Sequence, residues 1–277
     1  MRDVDSLLRE LGGSSLVEMR AGLDALAASV TVTSPVHDVR STELELPGRT
    51  VPIRIYRPAP DDLPRLMWFH GGGYVSGSLD AIDPTCRELA LRAQVEVVSV
   101  GYRLAPEHRF PAGLDDCLEA AAALRPHAVG GDSAGGGLAA AVAQRVAGLQ
   151  AQVLLCPWLD GTLTLPSVRA NSAPDGLNES ALRIFAELYA DDPTDPGVSP
   201  LHAPQVSQAA PAVIVTAGQD PLCDDGDRYA EKLLAAGVAV HARRWDEQIH
   251  GFPGMTAVTP AAAESLQWAA DRLRELL

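Results

Sequence analysis

The feature that most constrains this chain is a serine flanked by glycines at residues 131–135, where the pattern is Gly-x-Ser-x-Gly. This pattern is typical of a sharp turn from a strand into a helix, which strains the serine, exposes its hydroxyl and requires small neighbours. An apolar stretch at 128–130 predicts the strand, and the Ala-rich run 134–149 predicts the helix. We therefore interpret Ser133 as a nucleophile. A phosphate-binding loop is excluded because no Lys-Ser or Lys-Thr follows the glycines.

Strand and helix patterns alternate along most of the chain, which predicts an α/β fold. Such alternation indicates a mostly parallel sheet covered on both faces, with functional groups on the loops that follow the strands. A hairpin of strands 42–46 and 51–56 is expected at a sheet edge, where Pro52 is tolerated because an edge strand can spare a donor. The other predicted strands are 66–69, 95–100, 128–130, 153–156, 212–217 and 238–245, and the predicted helices are 81–93, 113–124, 134–149, 224–236 and 260–277.

Two segments do not follow this alternation. Residues 160–208 are polar and Pro-rich and contain one predicted helix, 179–189, while residues 3–28 predict two short amphipathic helices. Short amphipathic helices cannot bury their apolar faces alone. We expect about 1–35 and 160–208 to form a cap over the sheet, within a single domain that spans 1–277.

An acid and a base follow two later strands in the order that a serine nucleophile needs. Asp220 comes just after strand 212–217 and His250 after strand 238–245, so the imidazole could take the serine proton while the carboxylate orients it. Taken singly, Asp220 could make a turn and His250 could lie on a surface loop, but the ordered triple argues against coincidence. Asp224 and Asp225 are rival acids, although they begin the next helix, where carboxylates more commonly cap.

The glycine run after strand 66–69 predicts donors for an oxyanion. Backbone N–H groups of Gly72 and Gly73, with that of Ala134 after the nucleophile, could hold the developing charge because no side chain keeps a substrate away. His70 precedes the serine, in the wrong order for a base, and is predicted to brace the loop through hydrogen bonds. The remaining histidines are predicted to be structural or solvated: His37, His108, His127, His202 and His241.

The composition of the chain limits which binding partners and which cellular compartment are expected. A formal net charge of -14 argues against nucleic acid or an anionic membrane as a partner. The four cysteines are widely spaced without a C-x-x-C pair, which favours buried free thiols in a reducing compartment. The N-terminal residues lack the apolar core of a signal peptide, and no apolar run approaches the ~18 residues of a membrane span. We therefore expect a cytoplasmic protein without membrane insertion.

Five motifs in order make the chain similar to the hormone-sensitive-lipase-like carboxylesterases of the α/β-hydrolase superfamily. They are His-Gly-Gly-Gly at 70–73, Tyr-Arg-Leu-Ala-Pro-Glu-His at 102–108, Gly-Asp-Ser-Ala-Gly-Gly at 131–136, Asp-Pro-Leu at 220–222 and His-Gly-Phe at 250–252. The resemblance implies an α/β-hydrolase fold with an eight-stranded, mostly parallel sheet, helices on both faces and a small helical cap. It also implies a Ser133, His250 and Asp220 triad, an oxyanion hole at Gly72, Gly73 and Ala134, no cofactor, and small acyl-ester substrates.

Two departures from the family pattern concern the pocket. Gly137 stands where the family usually has Asn, so a contact behind the nucleophile turn is expected to be missing. The link 124–129 and the N-terminal segment are also shorter than usual. With aromatic content of 5%, a modest roof is expected. We predict an optimum at short acyl chains of roughly two to eight carbons. Without an apolar lid helix, we predict no interfacial activation.

Other functions remain compatible with these motifs. A dehydratase, or another biosynthetic lyase or hydrolase acting on a specialised metabolite, would use the same pocket. A non-catalytic small-molecule receptor would also share the fold, although the intact His250 argues against it. The sequence leaves open the natural ester, the pathway and the oligomeric state, a homodimer included.

Overall fold

The computed structural model describes residues 7, 15–173 and 176–277. Its sheet has eight strands: β1 (Asp38–Leu46), β2 (Arg49–Arg57), β3 (Arg65–Phe69), β4 (Glu96–Val100), β5 (Ala128–Asp132), β6 (Ala151–Leu155), β7 (Ala212–Gln219) and β8 (Val240–Ile249). Their order is β1-β2-β4-β3-β5-β6-β7-β8. The pairings of β2 with β1 and β4 are antiparallel and the rest are parallel. The predicted mostly parallel sheet is confirmed.

Eight α-helices are described: α1 (Leu16–Ser29), α2 (Asp83–Ala93), α3 (Ala112–Leu124), α4 (Ala134–Ala143), α5 (Ser167–Ala170), α6 (Glu179–Tyr189), α7 (Cys223–Ala235) and α8 (Pro260–Leu276). Two short 3-10 turns lie at Pro200–His202 and Phe252–Gly254. None of these helices could serve as a transmembrane span, since none is both long and apolar enough. Of the two predicted N-terminal helices, α1 is the second. The first lies outside the described residues apart from Leu7, which is buried.

The core forms two buried layers, one on each face of the sheet. Alternate residues of β3 show the division, because Met67 and Phe69 face the layer that contains α3, α4 and α7, whereas Leu66 and Trp68 face α2 and α8. Every residue of β4 and β6 is buried. Strands covered on both faces are mostly apolar instead of alternating, which explains why residues 66–69 of β3 could be predicted as a continuous apolar run. All four cysteines are buried and free, as predicted.

Pro52 does not lie on the edge strand, contrary to the prediction. β1 is the edge, and β2 lies between β1 and β4. The carbonyl of Pro52 accepts a hydrogen bond from the N–H of Gly101 (2.8 Å), so this residue faces the β4 side. Paired residues of β2 and β4 begin only at Ile53 and Val100. Pro52 is tolerated because it lies just beyond the end of that ladder, where no donor is needed.

Several predicted boundaries differ from the structure by two or more residues, and two of these differences have a clear structural cause. The helix after Ser133 ends at Ala143 instead of residue 149, and the chain turns at Gly148 (φ +86°) to enter β6. β8 continues to Ile249, beyond the predicted end at residue 245, because its pairing with β7 resumes after a register shift and joins Gln219 to Ile249. β8 is an edge strand, so its polar residues 246–248 need not be buried. Because they lack an apolar pattern, the sequence did not predict them as part of the strand.

Candidate active site

Ser133 lies in the turn between β5 and α4 with a strained backbone. Its φ of 53° and ψ of -120° are rare for a residue with a side chain. The turn is held from both sides, since the N–H of Ser133 donates to the carbonyl of Leu155 (2.9 Å) and its carbonyl accepts from the N–H of Gly137 (3.1 Å) and of Trp158 (2.9 Å). The surrounding structure therefore maintains the exposed-serine conformation that the sequence pattern predicted.

The glycines on each side of Ser133 are required by close backbone contacts. A Cβ atom at Gly135 would lie 2.0 Å from the carbonyl oxygen of Phe69, and one at Gly131 would lie 2.3 Å from the backbone of Gly135. Contacts this short cannot be relieved without moving β3 or α4. The glycines allow the strand before the turn, the helix after it and the neighbouring strand to meet.

The structure brings Ser133, His250 and Asp220 into one chain of contacts. His250 follows β8, and its Nε2 lies 2.9 Å from Ser133 Oγ while its Nδ1 lies 2.8 Å from Asp220 Oδ2. Asp220 follows β7 and is completely buried. Its other oxygen, Oδ1, accepts a hydrogen bond from the N–H of Leu222 (2.8 Å). Both carboxylate oxygens are therefore committed, and the carboxylate cannot rotate freely.

The charge around His250 favours its protonated form. Burial acts to lower the pKa of His250, but the Asp220 carboxylate and its hydrogen bond, together with the charge of Asp132, raise the pKa above its ordinary value. An imidazole with a raised pKa holds a proton more strongly once it has taken one, as a general base must.

The rival acids face away from His250. Asp225 Oδ1 accepts hydrogen bonds from the N–H groups of Leu159 (2.7 Å) and Asp160 (2.8 Å), and Asp224 Oδ2 accepts one from Ser167 (3.0 Å). Burial raises the pKa of Asp225 well above its usual range. Both carboxylates lie in the first turn of α7, as predicted, but the prediction that they cap this helix was wrong, because they bond to the segment that follows β6.

The glycine loop after β3, residues 71–73, adopts conformations that favour glycine. Gly72 has φ +114° and Gly73 has φ +63°, and a Cβ at Gly73 would lie 2.6 Å from the ring of Phe185 on α6. Both glycines line the same cavity as Ser133. Within the described part of the chain, the N–H groups of Gly72, Gly73 and Ala134 donate no hydrogen bond to a protein acceptor. All three predicted donors are therefore free to bind a substrate oxygen.

His70 braces this loop, as predicted. It is buried, its Nδ1 lies 2.7 Å from the carbonyl oxygen of Gly71, and its ring stacks on Tyr102 with centroids 4.4 Å apart. Burial lowers the pKa of His70. His202 has a structural role, which agrees with its prediction, because its Nε2 lies 3.0 Å from the buried Asp160 carboxylate. The acidic partner is distant in sequence, so local pattern could not reveal it.

The space behind the nucleophile turn is filled, although Gly137 has no side chain. A Cβ at Gly137 would lie 2.5 Å from the hydroxyl oxygen of Tyr74 and 2.4 Å from the carbonyl oxygen of Trp158. Tyr74 in turn stacks on Tyr189 at the end of α6, with centroids 3.8 Å apart. Gly137 makes no side-chain contact, as expected, and groups from two other segments occupy the place where a Cβ atom would lie.

Sequence analysis missed Asp132, the residue immediately before Ser133. Its Oδ2 accepts a hydrogen bond from the N–H of Gly71 (3.1 Å), and its Oδ1 accepts one from Trp68 Nε1 (3.3 Å). Burial raises the pKa of Asp132 to about 6. The available signal was an acidic residue at the variable position of the Gly-x-Ser-x-Gly pattern.

A mainly apolar cavity of about 330 Å³ opens onto Ser133. α1 lines it with Leu23, Leu26 and Ala27, and α6 lines it with Leu182 and Phe185. No residue of α1 is fully buried, and Leu26 is 59% exposed. Apolar residues of a partly exposed N-terminal helix therefore border the site, and the absence of interfacial activation stays a prediction.

Known proteins resemble this chain over most of its length. A family described as the alpha/beta hydrolase fold matches residues 66–254. Esterase LipI of Mycobacterium tuberculosis is 39% identical over 271 residues, covering 88% of this chain and 84% of that protein. The ethyl acetate hydrolase of Pseudomonas putida is 39% identical over 254 residues, covering 83% and 80%.

Solved structures show the same likeness. The hyperthermophilic esterase of the archaeon Pyrobaculum calidifontis has a TM-score of 0.89 and 31% identity, covering 98% of this chain and 97% of its own. The thermostable carboxylesterase EstE1, cloned from a metagenomic library, has a TM-score of 0.86 and 33% identity, covering 95% and 98%.

Proposed function

The chain belongs to the α/β-hydrolase fold family and, within it, to the hormone-sensitive-lipase-like carboxylesterases, and we propose that it is a serine carboxylesterase that hydrolyses short-chain acyl esters. The observation that carries this proposal is the chain of contacts from Ser133 through His250 to Asp220, at 2.9 and 2.8 Å, beside an apolar cavity. The names of the relatives support ester hydrolysis, and the geometry supports a covalent route to it.

In the proposed first step, Ser133 Oγ attacks the ester carbonyl while His250 Nε2 accepts its proton. Asp220 accepts the hydrogen bond from Nδ1–H and stabilises the imidazolium that results. The carbonyl oxygen becomes an oxyanion, which the N–H groups of Gly72, Gly73 and Ala134 would hold. When the tetrahedral intermediate collapses, His250 returns the proton to the departing alcohol, and the acyl group remains on Ser133.

The second step repeats the chemistry with water. The water oxygen attacks the acyl carbon while His250 takes a proton from the water, and the same three N–H groups hold the second oxyanion. Collapse breaks the bond to Ser133 Oγ, which regains a proton from His250 and is regenerated. Every proton and bond is supplied by the chain, the ester and water, so the proposed cycle uses no cofactor.

We also propose that α1 and residues 160–208 act as the cap of a single domain. Both segments supply apolar walls of the cavity. α1 is tied to the body of the protein by Arg20, which donates to the carbonyls of Val75 (2.7 Å) and Ala105 (3.0 Å) and pairs with Glu107 (2.8 Å). This arrangement supports a roof that encloses a small acyl or alcohol group.

Cavity size supports a preference for short chains. Each buried methylene contributes about 0.8 kcal/mol, so kcat/KM should rise about fourfold per methylene while the cavity has room. A cavity of about 330 Å³ lies at the lower end of ligand pockets. We expect an optimum at roughly two to eight acyl carbons, followed by a decline.

The test is a series of p-nitrophenyl esters from acetate to palmitate, assayed below and above substrate solubility, with Ser133→Ala as the control for background hydrolysis. Preference for butyrate-like chains and no jump in rate on emulsions would agree with the proposal. Preference for laurate or longer esters, or a jump on emulsions, would identify a lipase. Binding of apolar molecules without hydrolysis of any ester would favour a receptor or a biosynthetic lyase.

A further inference from the structure

We propose that Asp132 is a positioning residue whose two carboxylate oxygens lock the glycine loop 71–73 to the nucleophile turn. This inference rests on the proposed esterase function, because it concerns how the oxyanion donors are kept in place. Asp132 also borders the cavity beside Ser133 and His250.

The two hydrogen bonds of Asp132 connect three parts of the site. Oδ2 accepts from the N–H of Gly71, at the start of the glycine loop, and Oδ1 accepts from the indole of Trp68, which is completely buried in β3. A Cβ at Gly71 would lie 2.4 Å from Asp132 Oδ2. The loop can approach the carboxylate this closely only because residue 71 is glycine.

The position of Asp132 in the chain makes these bonds relevant to catalysis. Ser133 follows it directly, and Gly71 directly precedes Gly72 and Gly73. One side chain therefore joins the segment that carries the attacking oxygen to the segment that carries two of the three proposed donors. Oxyanion donors act only when they are held at the developing charge, and a misplacement of about 1 Å can cost about a hundredfold in rate.

A carboxylate is the group that suits both donors. The N–H of Gly71 and the indole N–H of Trp68 each need an acceptor, and Asp132 offers a separate oxygen to each. An asparagine offers one oxygen and one NH2 group, so one donor would face another donor. The Asp132→Asn variant is thus nearly the same shape but loses one of the two bonds.

The charge of Asp132 gives a second, independent readout. His250 is faced by Asp220 and Asp132, and its pKa is raised by both against the effect of burial. Asp132 is faced by His250 and, at longer range, by Cys86, Cys156 and Tyr102, whose pKa values are raised mainly by burial. Those neutral groups do not offset the carboxylate. Removing its charge should lower the pKa of His250, so neutral imidazole would persist to lower pH.

The experiment measures kcat, KM and their pH dependence with p-nitrophenyl butyrate for the wild type, Asp132→Asn and Asp115→Asn. Asp115 is exposed on α3, so its variant removes the same formal charge without touching the site. For Asp132→Asn we expect kcat to fall about ten- to a hundredfold with KM nearly unchanged. Its acid limb should move to lower pH, whereas Asp115→Asn should match the wild type.

A double variant keeps the proposal testable if the single variant does not fold. If Asp132→Asn unfolds because one donor is unpaired, adding Trp68→Phe removes that competing donor and leaves the amide oxygen for Gly71. The double variant should regain most of kcat while its acid limb stays at the lower pH. Failure to regain kcat in a folded double variant, judged by circular dichroism, would contradict the shared-acceptor argument.

The activity of the wild type separates failure of this inference from failure of the proposed function. A wild type that hydrolyses no ester would refute the esterase proposal, and the His250 titration could still be followed by NMR in a Ser133→Ala background with and without Asp132→Asn. An active wild type with an Asp132→Asn variant of equal kcat, or with an unmoved acid limb, would overturn the positioning role. A loss confined to KM would overturn it as well.

Discussion

Replacing Asp220 by Asn tests which carboxylate orients His250, and the structure dictates how the replacement would bind. Asp220 Oδ1 accepts from the N–H of Leu222 at 2.8 Å, while Oδ2 faces His250 Nδ1 at 2.8 Å. In Asp220→Asn the amide oxygen must serve Leu222, because that N–H is a donor. The NH2 group then faces Nδ1, which can only accept from it, and the imidazole proton moves to Nε2.

This tautomer is unproductive because Nε2 lies 2.9 Å from Ser133 Oγ and must be free to take its proton. The equivalent change in a serine triad lowers kcat by about 10⁴, which corresponds to about 5 kcal/mol of transition-state stabilisation. We expect a loss of that order with KM nearly unchanged. The imidazole would also lose the carboxylate that raises its pKa, so the acid limb of residual activity should move to lower pH.

The assay is steady-state hydrolysis of p-nitrophenyl butyrate across pH, with Asp225→Asn as the matched control on the next helix. Asp225 is buried like Asp220 but bonds to Leu159 and Asp160, so its variant should keep nearly full activity. A normal rate in Asp220→Asn, or a larger loss in Asp225→Asn, would refute the assignment of the orienting acid.

Two further predictions concern the nucleophile and the anchor of α7. Ser133→Ala should lower kcat by more than about a thousandfold while thermal unfolding stays nearly unchanged, and near-normal turnover would remove Ser133 as the nucleophile. Asp225→Ala should destabilise the fold by about 2–6 kcal/mol in urea unfolding, since it leaves two buried N–H groups unpaired, whereas Asp225→Asn should stay within about 1 kcal/mol. Burial raises the pKa of Asp225 in the folded state above its ordinary value in the unfolded chain. The free energy of unfolding of the wild type should therefore fall as the pH rises from the ordinary pKa of this group to its raised pKa. The Asn variant should lack that decline, and an equal decline in both would contradict this reasoning.

The sequence by itself determined that the sheet is mostly parallel and in which succession most strands and helices follow along the chain. It also predicted three side chains of the candidate site. Ser133, Asp220 and His250 could be found because each follows its own predicted strand, and parallel strands present their carboxyl ends at one edge of a sheet. The two glycine motifs were equally informative, because positive φ values at Gly72 and Gly73 and close backbone contacts at Gly131 and Gly135 leave few alternative residues. A local sequence pattern is enough to predict a residue's role where that role depends on the conformation of the turn in which the residue lies.

Only the tertiary structure decided which distant groups complete the site. Asp132 reaches Gly71 across 61 positions of sequence, and Tyr74 fills the space beside Gly137. Asp225 looked like a helix cap but binds the segment after β6. Pro52 looked like an edge residue but lies at the end of an inner pairing. Each case depends on distances between segments of a few ångströms, which follow from the packing of whole helices and strands and leave no periodic signal in the chain.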